Sequence, residues 1–378
     1  MLDAVGKDAT MPSRTLAAIV LAAGEGTRMR SPLPKPLHRL CGRPMVLHVL
    51  DALAELPLER VVVVVGYRSA EVTKTLQADA PAGLRLEFVE QTRPLGTGDA
   101  AAVALTAFPD GYADEEGDLV VLPGDAPLLR AATLAELVRT HQASDAAATL
   151  LTARMADPSG YGRIVRGKDD RPIRIVEHVD ATPEEREIDE VSTSIYCFRH
   201  PVLAPALRRV LPDNRQGEYY LTDAIAVLHD AGYPLAALVA GDPHEASGVN
   251  DRAQLAVAEE VLRRRINERW MRRGVTMTDP ARTYLDAGVR LSEDVTLRPD
   301  TVLEGATTVG RGAVLGPAVH LGDCSVGAGA RMEHTVGERA VIGDDAAVGP
   351  YAYLPPGTRL APGAVTGPFF GGEGAEAQ

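Results

Sequence analysis

Aromatic residues are scarce in this chain of 378 residues, at 4% with a single tryptophan, so the stacking platforms that hold single-stranded bases are missing. Positive charge is also short. The formal net charge is -13, which gives no broad field toward nucleic acid or an anionic membrane. An anionic ligand must then be met by a few local cations and a metal ion. Three cysteines, Cys41, Cys197 and Cys324, lie far apart with no CxxC spacing, which excludes a zinc knuckle and a disulfide framework and fits a reducing compartment. No apolar run approaches the length of a membrane span. Asp3, Lys7, Asp8 and Arg14 interrupt the first fourteen residues, which are expected to be a disordered tail and not a signal peptide.

What is there falls into two textures. From Leu16 to about Val249, short apolar runs alternate with helical patterns. Leu16 to Ala23, the five valines Val61 to Val65, and Leu119 to Leu122 read as strands, the valine run as one buried on both faces of a parallel sheet. Pro44 to Ala54 and Thr133 to His141 read as helices. This alternation predicts a doubly wound α/β domain over 15–250, with ligands outside the carboxyl ends of its strands. Asp251 to Arg273 reads as a long helix closed by Gly274, within a connecting segment 251–274.

A six-residue period follows. Leu291, Leu297, Leu303, Val309, Leu315 and Leu321 keep it, and after a break Val336, Ile342, Val348, Leu354 and Leu360 resume it. Such a period predicts stacked coils of parallel β-helix over 281–366, with each of these apolar residues pointing inward. Residues 367–378 are expected to be a disordered tail.

Chemistry concentrates in Leu21-Ala-Ala-Gly-Glu-Gly-Thr-Arg-Met29, continuing to Leu33-Pro-Lys-Pro-Leu37. A buried strand runs into a loop holding Gly24 and Gly26, followed by the cations Arg28 and Lys35. Glycines let backbone N–H groups approach phosphate oxygens, and the cations add charge there. A bare GxG would be an ordinary strand–turn–helix junction, and this run is neither a Walker loop nor a dinucleotide fingerprint. Asp125 stands at a strand's carboxyl end, which suits a magnesium ion shared with substrate phosphates, although a lone Asp there is more often a turn residue or helix cap. Cys41 and Cys197 sit in apolar stretches and read as core residues, not nucleophiles.

The whole run resembles the sugar-phosphate nucleotidyltransferases, with their LxxGxGTRM and PK pair. Gln91 with Leu95-Gly-Thr-Gly98, Gly124-Asp-Ala-Pro-Leu128, Gly160-Tyr-Gly-Arg-Ile164, Ile175-Val-Glu-His178, Gln216-Gly-Glu-Tyr-Tyr-Leu-Thr-Asp223 and Gly248-Val-Asn250 then follow in the order of one family. That family is the bifunctional N-acetylglucosamine-1-phosphate uridyltransferase and glucosamine-1-phosphate acetyltransferase. The resemblance implies a Rossmann-like nucleotidyltransferase domain followed by a short left-handed parallel β-helix of hexapeptide repeats, in a cytoplasmic protein. It implies UTP and a sugar 1-phosphate as substrates, Mg2+ as cofactor, and a homotrimer formed through the β-helix. It assigns Arg28 and Lys35 to catalysis, and Leu21, Ala22, Ala23, Gly24, Gln91, Gly96 and Thr97 to the nucleotide. Gly162, Glu177, Ser192 and Asn250 fall to the sugar, and Asp125 and Asn250 to the metal. His178 is expected to be structural.

Two departures stand out. Ser192 replaces an asparagine that contacts the sugar in the family, and Ser194 a frequent glycine. Ser192 motivates a rival, a thymidylyl- or uridylyltransferase for glucose 1-phosphate or an unusual sugar. The acetyltransferase half departs further. Its histidine segment has no counterpart, the chain stops at Gln378, and Pro355 stands where the family has an arginine. Loss of acetyl transfer is therefore expected. A non-catalytic nucleotide-sugar-binding relative is the remaining alternative.

Overall fold

In a computed structural model, residues 14–108 and 117–371 are described. The expected amino-terminal tail up to Ser13 and the end of the expected carboxyl-terminal tail, from Gly372, lie outside them. The described chain forms two units. One holds the residues up to Leu37 together with Met45–Asp251, and the other holds His38–Pro44 together with the residues from Arg252 onward.

The first unit opens on β1 (Thr15–Ala22), and the chain then leaves it for a small hairpin, β2 (Arg39–Leu40) and β3 (Arg43–Pro44). It returns with α1 (Met45–Leu53), β4 (Arg60–Val65), α2 (Ser69–Asp79), β5 (Leu86–Glu90), α3 (Thr97–Leu105), β6 (Gly117–Pro123), α4 (Ala131–Ser144) and β7 (Ala148–Arg154). The rest is β8 (Arg163–Arg166), β9 (Pro172–Val176), α5 (Pro183–Arg186), β10 (Glu190–Arg199), α6 (His200–Leu207), α7 (Asp223–Asp230) and β11 (Leu235–Val239). The sheet order is β11-β7-β10-β6-β1-β4-β5, with β8 and β9 attached beside β10.

The valine run shows why this sheet is covered on both faces. Val61, Val63 and Val65 enter a core with Leu47 and Leu50 of α1 and Leu134 and Leu137 of α4. Val62 and Val64 face the other way, against Ala100, Ala101 and Ala104 of α3. Side chains alternate along a strand, so a run of five apolar residues needs a helix layer on each side. The sheet is not wholly parallel. β10 pairs antiparallel with both β6 and β7, and its register shifts between Ser192 and Ile195. That irregularity puts Ser194 in the left-handed region, at φ 59.

Besides the hairpin, the second unit contains α8 (Arg252–Met271), closed at Gly274 with φ 91. No helix among the described residues is long and apolar enough to cross a membrane. Short strands from Thr276–Met277 to Arg359–Leu360 then stack into three parallel sheets, the left-handed β-helix of the sequence pattern. Leu297, Leu303, Leu315, Leu321 and Leu354 are buried in its interior. Between coils, carboxylates tie the corners. Asp286 accepts from the Gly305 N–H at 2.8 Å and Asp344 from the Ala328 N–H at 2.8 Å.

One rung differs from the expected ladder. Val336 is 49% exposed, and Gly337 is the inward residue. The inward positions run Leu321, Val326, Met332, Gly337 and Ile342, so three of these steps are five residues and the six-residue count slips. Gly337 stacks between Leu321 and Leu354, and a Cβ on it would meet Leu321 Cδ2 at 3.0 Å. The neighbouring leucines already fill the space that a side chain would take. Residues 367–371 also differ from the expected tail. Phe369 stacks on Tyr351 with ring centroids 5.3 Å apart, and the Phe370 carbonyl accepts from the Tyr353 N–H at 2.8 Å. At the other end Arg14, also placed in a tail by the sequence reading, donates to Asp145 at 3.2 Å.

Candidate functional site

The carboxyl ends of four adjacent parallel strands build the site. The Gly124 N–H donates to the Leu21 carbonyl at 2.9 Å, joining the loops after β6 and β1. The Tyr67 N–H reaches the Ala23 carbonyl at 3.4 Å, and the Gln91 N–H donates to the Val65 carbonyl at 2.8 Å. Leu21, Ala22, Ala23 and Gly24 therefore lie at the centre of a row of strand ends, with Gly24 exposed.

Gly26 sets the geometry of the loop. Its φ is 65, and a Cβ on it would lie 2.5 Å from the Cβ of Lys35. Only glycine allows both the left-handed backbone and that close approach. Thr27–Met29 then makes a single 3-10 turn with Met29 buried as its anchor, which leaves Arg28 exposed. Lys35 opens a second 3-10 turn whose Pro36 and Leu37 are buried.

These turns bring together residues far apart in the chain. The Lys35 ammonium donates to a carboxylate oxygen of Asp125, and also to Asn250 Oδ1 at 2.8 Å. Arg28 donates to the same Asn250 oxygen at 3.0 Å. Asn250 is carried there by its neighbour, because the Val249 N–H donates to the Asp125 carbonyl at 2.9 Å. Lys35 and Asp125 keep side-chain exposures of only 14% and 20%, so their pairing is shielded from bulk water. Among the described residues no three His, Cys, Asp or Glu side chains gather in a metal cage. The oxygens that converge here are one carboxylate and one amide.

Gln91, Gly96 and Thr97 form a second group. Buried Gln91 donates through Nε2 to the Gly96 carbonyl at 3.1 Å and to Asp99 at 2.7 Å. Gly96 has φ 115, and a Cβ there would lie 2.5 Å from the Tyr219 carbonyl oxygen. The segment from Glu218 to Leu221 is laced to this loop. The Tyr219 N–H donates to Leu95 O at 2.8 Å, the Gly98 N–H to Tyr219 O at 2.7 Å, and the Leu221 N–H to Thr97 Oγ1 at 3.0 Å.

The same segment leads into a third group. Thr222 Oγ1 donates to Glu177 Oε1 at 3.0 Å. Gly162 lies beside Glu177, and its carbonyl accepts from the Ser192 N–H at 2.8 Å. Ser192 Oγ and the Tyr196 hydroxyl share a hydrogen bond at 3.1 Å, and the Ser194 N–H donates to Ser192 Oγ at 3.3 Å. The serine hydroxyl is thus engaged within the protein, and it supports the left-handed backbone at Ser194. The two departures from the family pattern are coupled to each other.

Charge is concentrated here. Burial pushes the Glu177 carboxyl up, and Asp223 and Asp180 add to the rise, against the Thr222 hydrogen bond. Burial and then Asp180 push Asp223 up to about 6. His178 lies 3.5 Å from Arg163, whose guanidinium is itself buried and braces the Tyr161 carbonyl. Asn250, assigned by the sequence reading to both sugar and metal, has its contacts to Arg28 and Lys35 in the first group. Thr222, Tyr219, Asp223, Tyr196 and Arg163 had no role in the sequence reading. The Gln216–Asp223 motif was the available signal for Tyr219, Thr222 and Asp223.

A family model described as Nucleotidyl transferase matches residues 17–246. The chain is 47% identical over 326 residues to the bifunctional protein GlmU of Desulfitobacterium hafniense, covering 86% of this chain and 69% of the relative. It is 48% identical over 330 residues to the bifunctional protein GlmU of Thermobifida fusca, covering 87% and 68%. The crystal structure of HddC from Yersinia pseudotuberculosis matches with a TM-score of 0.49 at 18% identity, over 65% of this chain and 99% of that one.

Proposed function

The chain belongs to the family of the bifunctional proteins GlmU, and on that premise we propose that it joins UTP and N-acetylglucosamine 1-phosphate, giving UDP-N-acetylglucosamine and pyrophosphate. The observation that carries the reading is the convergence of Arg28 and Lys35 with Asp125 and Asn250 at the ends of β1 and β6. A phosphate oxygen of the sugar 1-phosphate attacks the α-phosphorus of UTP in line, and pyrophosphate leaves. The nucleophile is already an anion, so no general base is required. Catalysis is positioning plus stabilisation of charge on the transferring phosphoryl group.

Arg28 and Lys35 neutralise the triphosphate, and the Gly24–Thr27 backbone cradles it. Gln91, Gly96 and Thr97 hold the uracil, while Gly162, Glu177 and Ser192 face the sugar. Asp125 and Asn250 would hold magnesium. Both already present an oxygen to one ammonium, so two hard donors point at a single cation position, and substrate phosphates and water complete such a shell. Bound there, the ion supplies Lewis-acid polarisation of the phosphates.

Acetyl transfer is absent from the proposed activity. Pro355 lies in the turn Leu354–Gly357, where its carbonyl accepts from the Thr358 N–H at 3.0 Å, and its ring offers neither charge nor donor. The β-helix serves instead in assembly, as a homotrimer. Its support is the outward column Tyr284, Val302, His320, Val336 and Tyr353, which stacks coil upon coil with Tyr284, Val336 and Tyr353 exposed. Three buried free cysteines fit the reducing cytoplasm, where we place the protein.

A pyrophosphate-release assay across nucleoside triphosphates and sugar 1-phosphates tests the reading. The expected result is magnesium-dependent release with UTP and N-acetylglucosamine 1-phosphate, and no coenzyme A release from acetyl-coenzyme A with glucosamine 1-phosphate. Preference for another sugar, or turnover in excess chelator, would overturn the corresponding part.

A further inference from the structure

We infer that Asp99, on α3, is a positioning residue that makes the base pocket choose uracil over cytosine, by fixing which end of the Gln91 amide meets the base. The inference rests on the uridylyl-transfer reading given above, in which Gln91 meets the pyrimidine. Every residue it uses lies within the nucleotidyltransferase unit.

A glutamine amide has two ends of opposite sense, an oxygen that only accepts and an NH2 that only donates. Turning the group over exchanges them with almost no change in shape, so an unrestrained glutamine reads either kind of partner. Uracil and cytosine differ in this respect. Uracil carries a proton on N3 and a carbonyl at C4, whereas cytosine has a bare acceptor at N3 and an amine at C4. An amide oxygen fixed opposite N3 pairs with uracil and repels cytosine. An NH2 fixed there does the reverse.

Here the amide is restrained from behind. Gln91 is only 8% exposed and stands just past β5, with its backbone N–H on the Val65 carbonyl. Both protons of Nε2 are engaged, one by the Gly96 carbonyl at 3.1 Å and one by Asp99 Oδ2 at 2.7 Å. A carbonyl and a carboxylate accept only, so the nitrogen must face them and the oxygen must face away. That oxygen accepts from no described residue, yet it is not sealed from solvent. It is left for a ligand that donates.

Both partners belong to the start of α3. Gly96 is its N-cap, and the Gly96 carbonyl also accepts from the Ala100 N–H at 3.1 Å. Asp99 lies in the first turn. The loop has no slack, because a Cβ on Gly96 would lie 2.5 Å from the Tyr219 carbonyl oxygen. Of the two acceptors, Asp99 is the side chain and makes the shorter contact. A carboxylate oxygen also holds an N–H more firmly than a backbone carbonyl that is already shared. Among the described residues the Asp99 side chain has no other hydrogen-bond partner, so orienting Gln91 is the role its contacts give it.

The test measures Kd for UTP and for CTP by calorimetry, and kcat and KM with each, in wild type, Asp99→Ala and Asp99→Asn. Wild type is expected to prefer UTP by roughly 10²-fold or more, since the wrong base leaves a buried polar group unpaired. Asp99→Ala is expected to narrow that ratio about tenfold, which is what one hydrogen bond to a charged group contributes. Affinity for UTP should fall while affinity for CTP rises. Asp99→Asn still offers one oxygen to Nε2 and should lie between the two, and it carries the same comparison if the alanine variant does not fold. At saturating UTP, kcat should stay within about twofold of wild type, because the lost contact serves binding and not the transferring phosphoryl group. An unchanged ratio in a folded variant would overturn the inference. So would a parallel loss of UTP and CTP affinity, which is what a merely structural Asp99 would give, or a wild type that binds the two nucleotides alike. Preferential binding of UTP without uridylyl transfer would instead overturn the activity reading, and the binding ratios would still decide the role of Asp99.

Discussion

The two units differ in regularity, although both place glycine where neighbours already fill the space of a side chain. In the β-helix, the Gly337 rung takes a place that leucine fills on the other coils, and Leu321 and Leu354 close over it. In the nucleotidyltransferase unit, Gly26 stands where no side chain fits, because Lys35 already occupies the space. A repeating core averages over its rungs and absorbs an exception. A site built from single loops has no neighbour to compensate, so its residues carry distinct and separable roles. The units are thus expected to respond differently to mutation, one in chemistry and the other in stability.

The largest expected effect is at Lys35. Lys35→Ala should lower turnover by roughly 10²–10³, the usual cost of removing a preorganised transition-state contact, with the thermal midpoint nearly unchanged. The same variant should bind Mn2+ more tightly without nucleotide, because the ammonium no longer competes for the Asp125 and Asn250 oxygens. Steady-state kinetics and Mn2+ titration by electron paramagnetic resonance check the two halves. Near-normal turnover would remove Lys35 from the chemistry, and unchanged Mn2+ affinity would break its link to the metal position.

A smaller effect, of the opposite kind, is expected in the prism. Leu315→Ala removes a fully buried rung and should destabilise the β-helical unit by about 2–5 kcal/mol, as for other large-to-small core changes. Uridylyl transfer by the folded variant should stay within about twofold of wild type, since less than 0.5 kcal/mol of barrier is at stake. Denaturant unfolding paired with kinetics would show it. A large loss of kcat in the folded state would mean that the two units are not separable in this way.

The smallest effect concerns pH. Asp223 titrates at about 6 in the folded protein, above its ordinary carboxylate value of 3.8, mainly through burial. Between those values the folded state binds the extra proton, so stability falls as pH rises through this window. Glu177 is shifted in the same direction. Asp118 and Glu190 are lowered, so their contribution is lost only in more acid solution. The thermal midpoint of the first unit should therefore climb slightly from pH 7 to pH 5, and Asp223→Asn should flatten that slope. An identical pH profile in wild type and variant would remove Asp223 as its source.

By itself, the sequence determined what local periodicity and local motifs can encode. Val61–Val65 needed two covering layers, Leu291–Leu321 needed a triangular prism, and the run from Leu21 to Leu37 placed its glycines and cations at a strand end. Burial free energy scales with apolar surface, so a period in that surface is readable without coordinates. Only the tertiary structure decided which distant groups meet. It brought Thr222 to Glu177 and Asn250 to Arg28 and Lys35, and handed His38–Pro44 to the second unit. It also turned Val336 outward and Gly337 inward. The reason is shared. A five-residue step shifts every later side chain, and a hairpin too short to fold alone takes whichever surface satisfies its backbone. Both outcomes depend on groups that are remote in the chain and carry no local period.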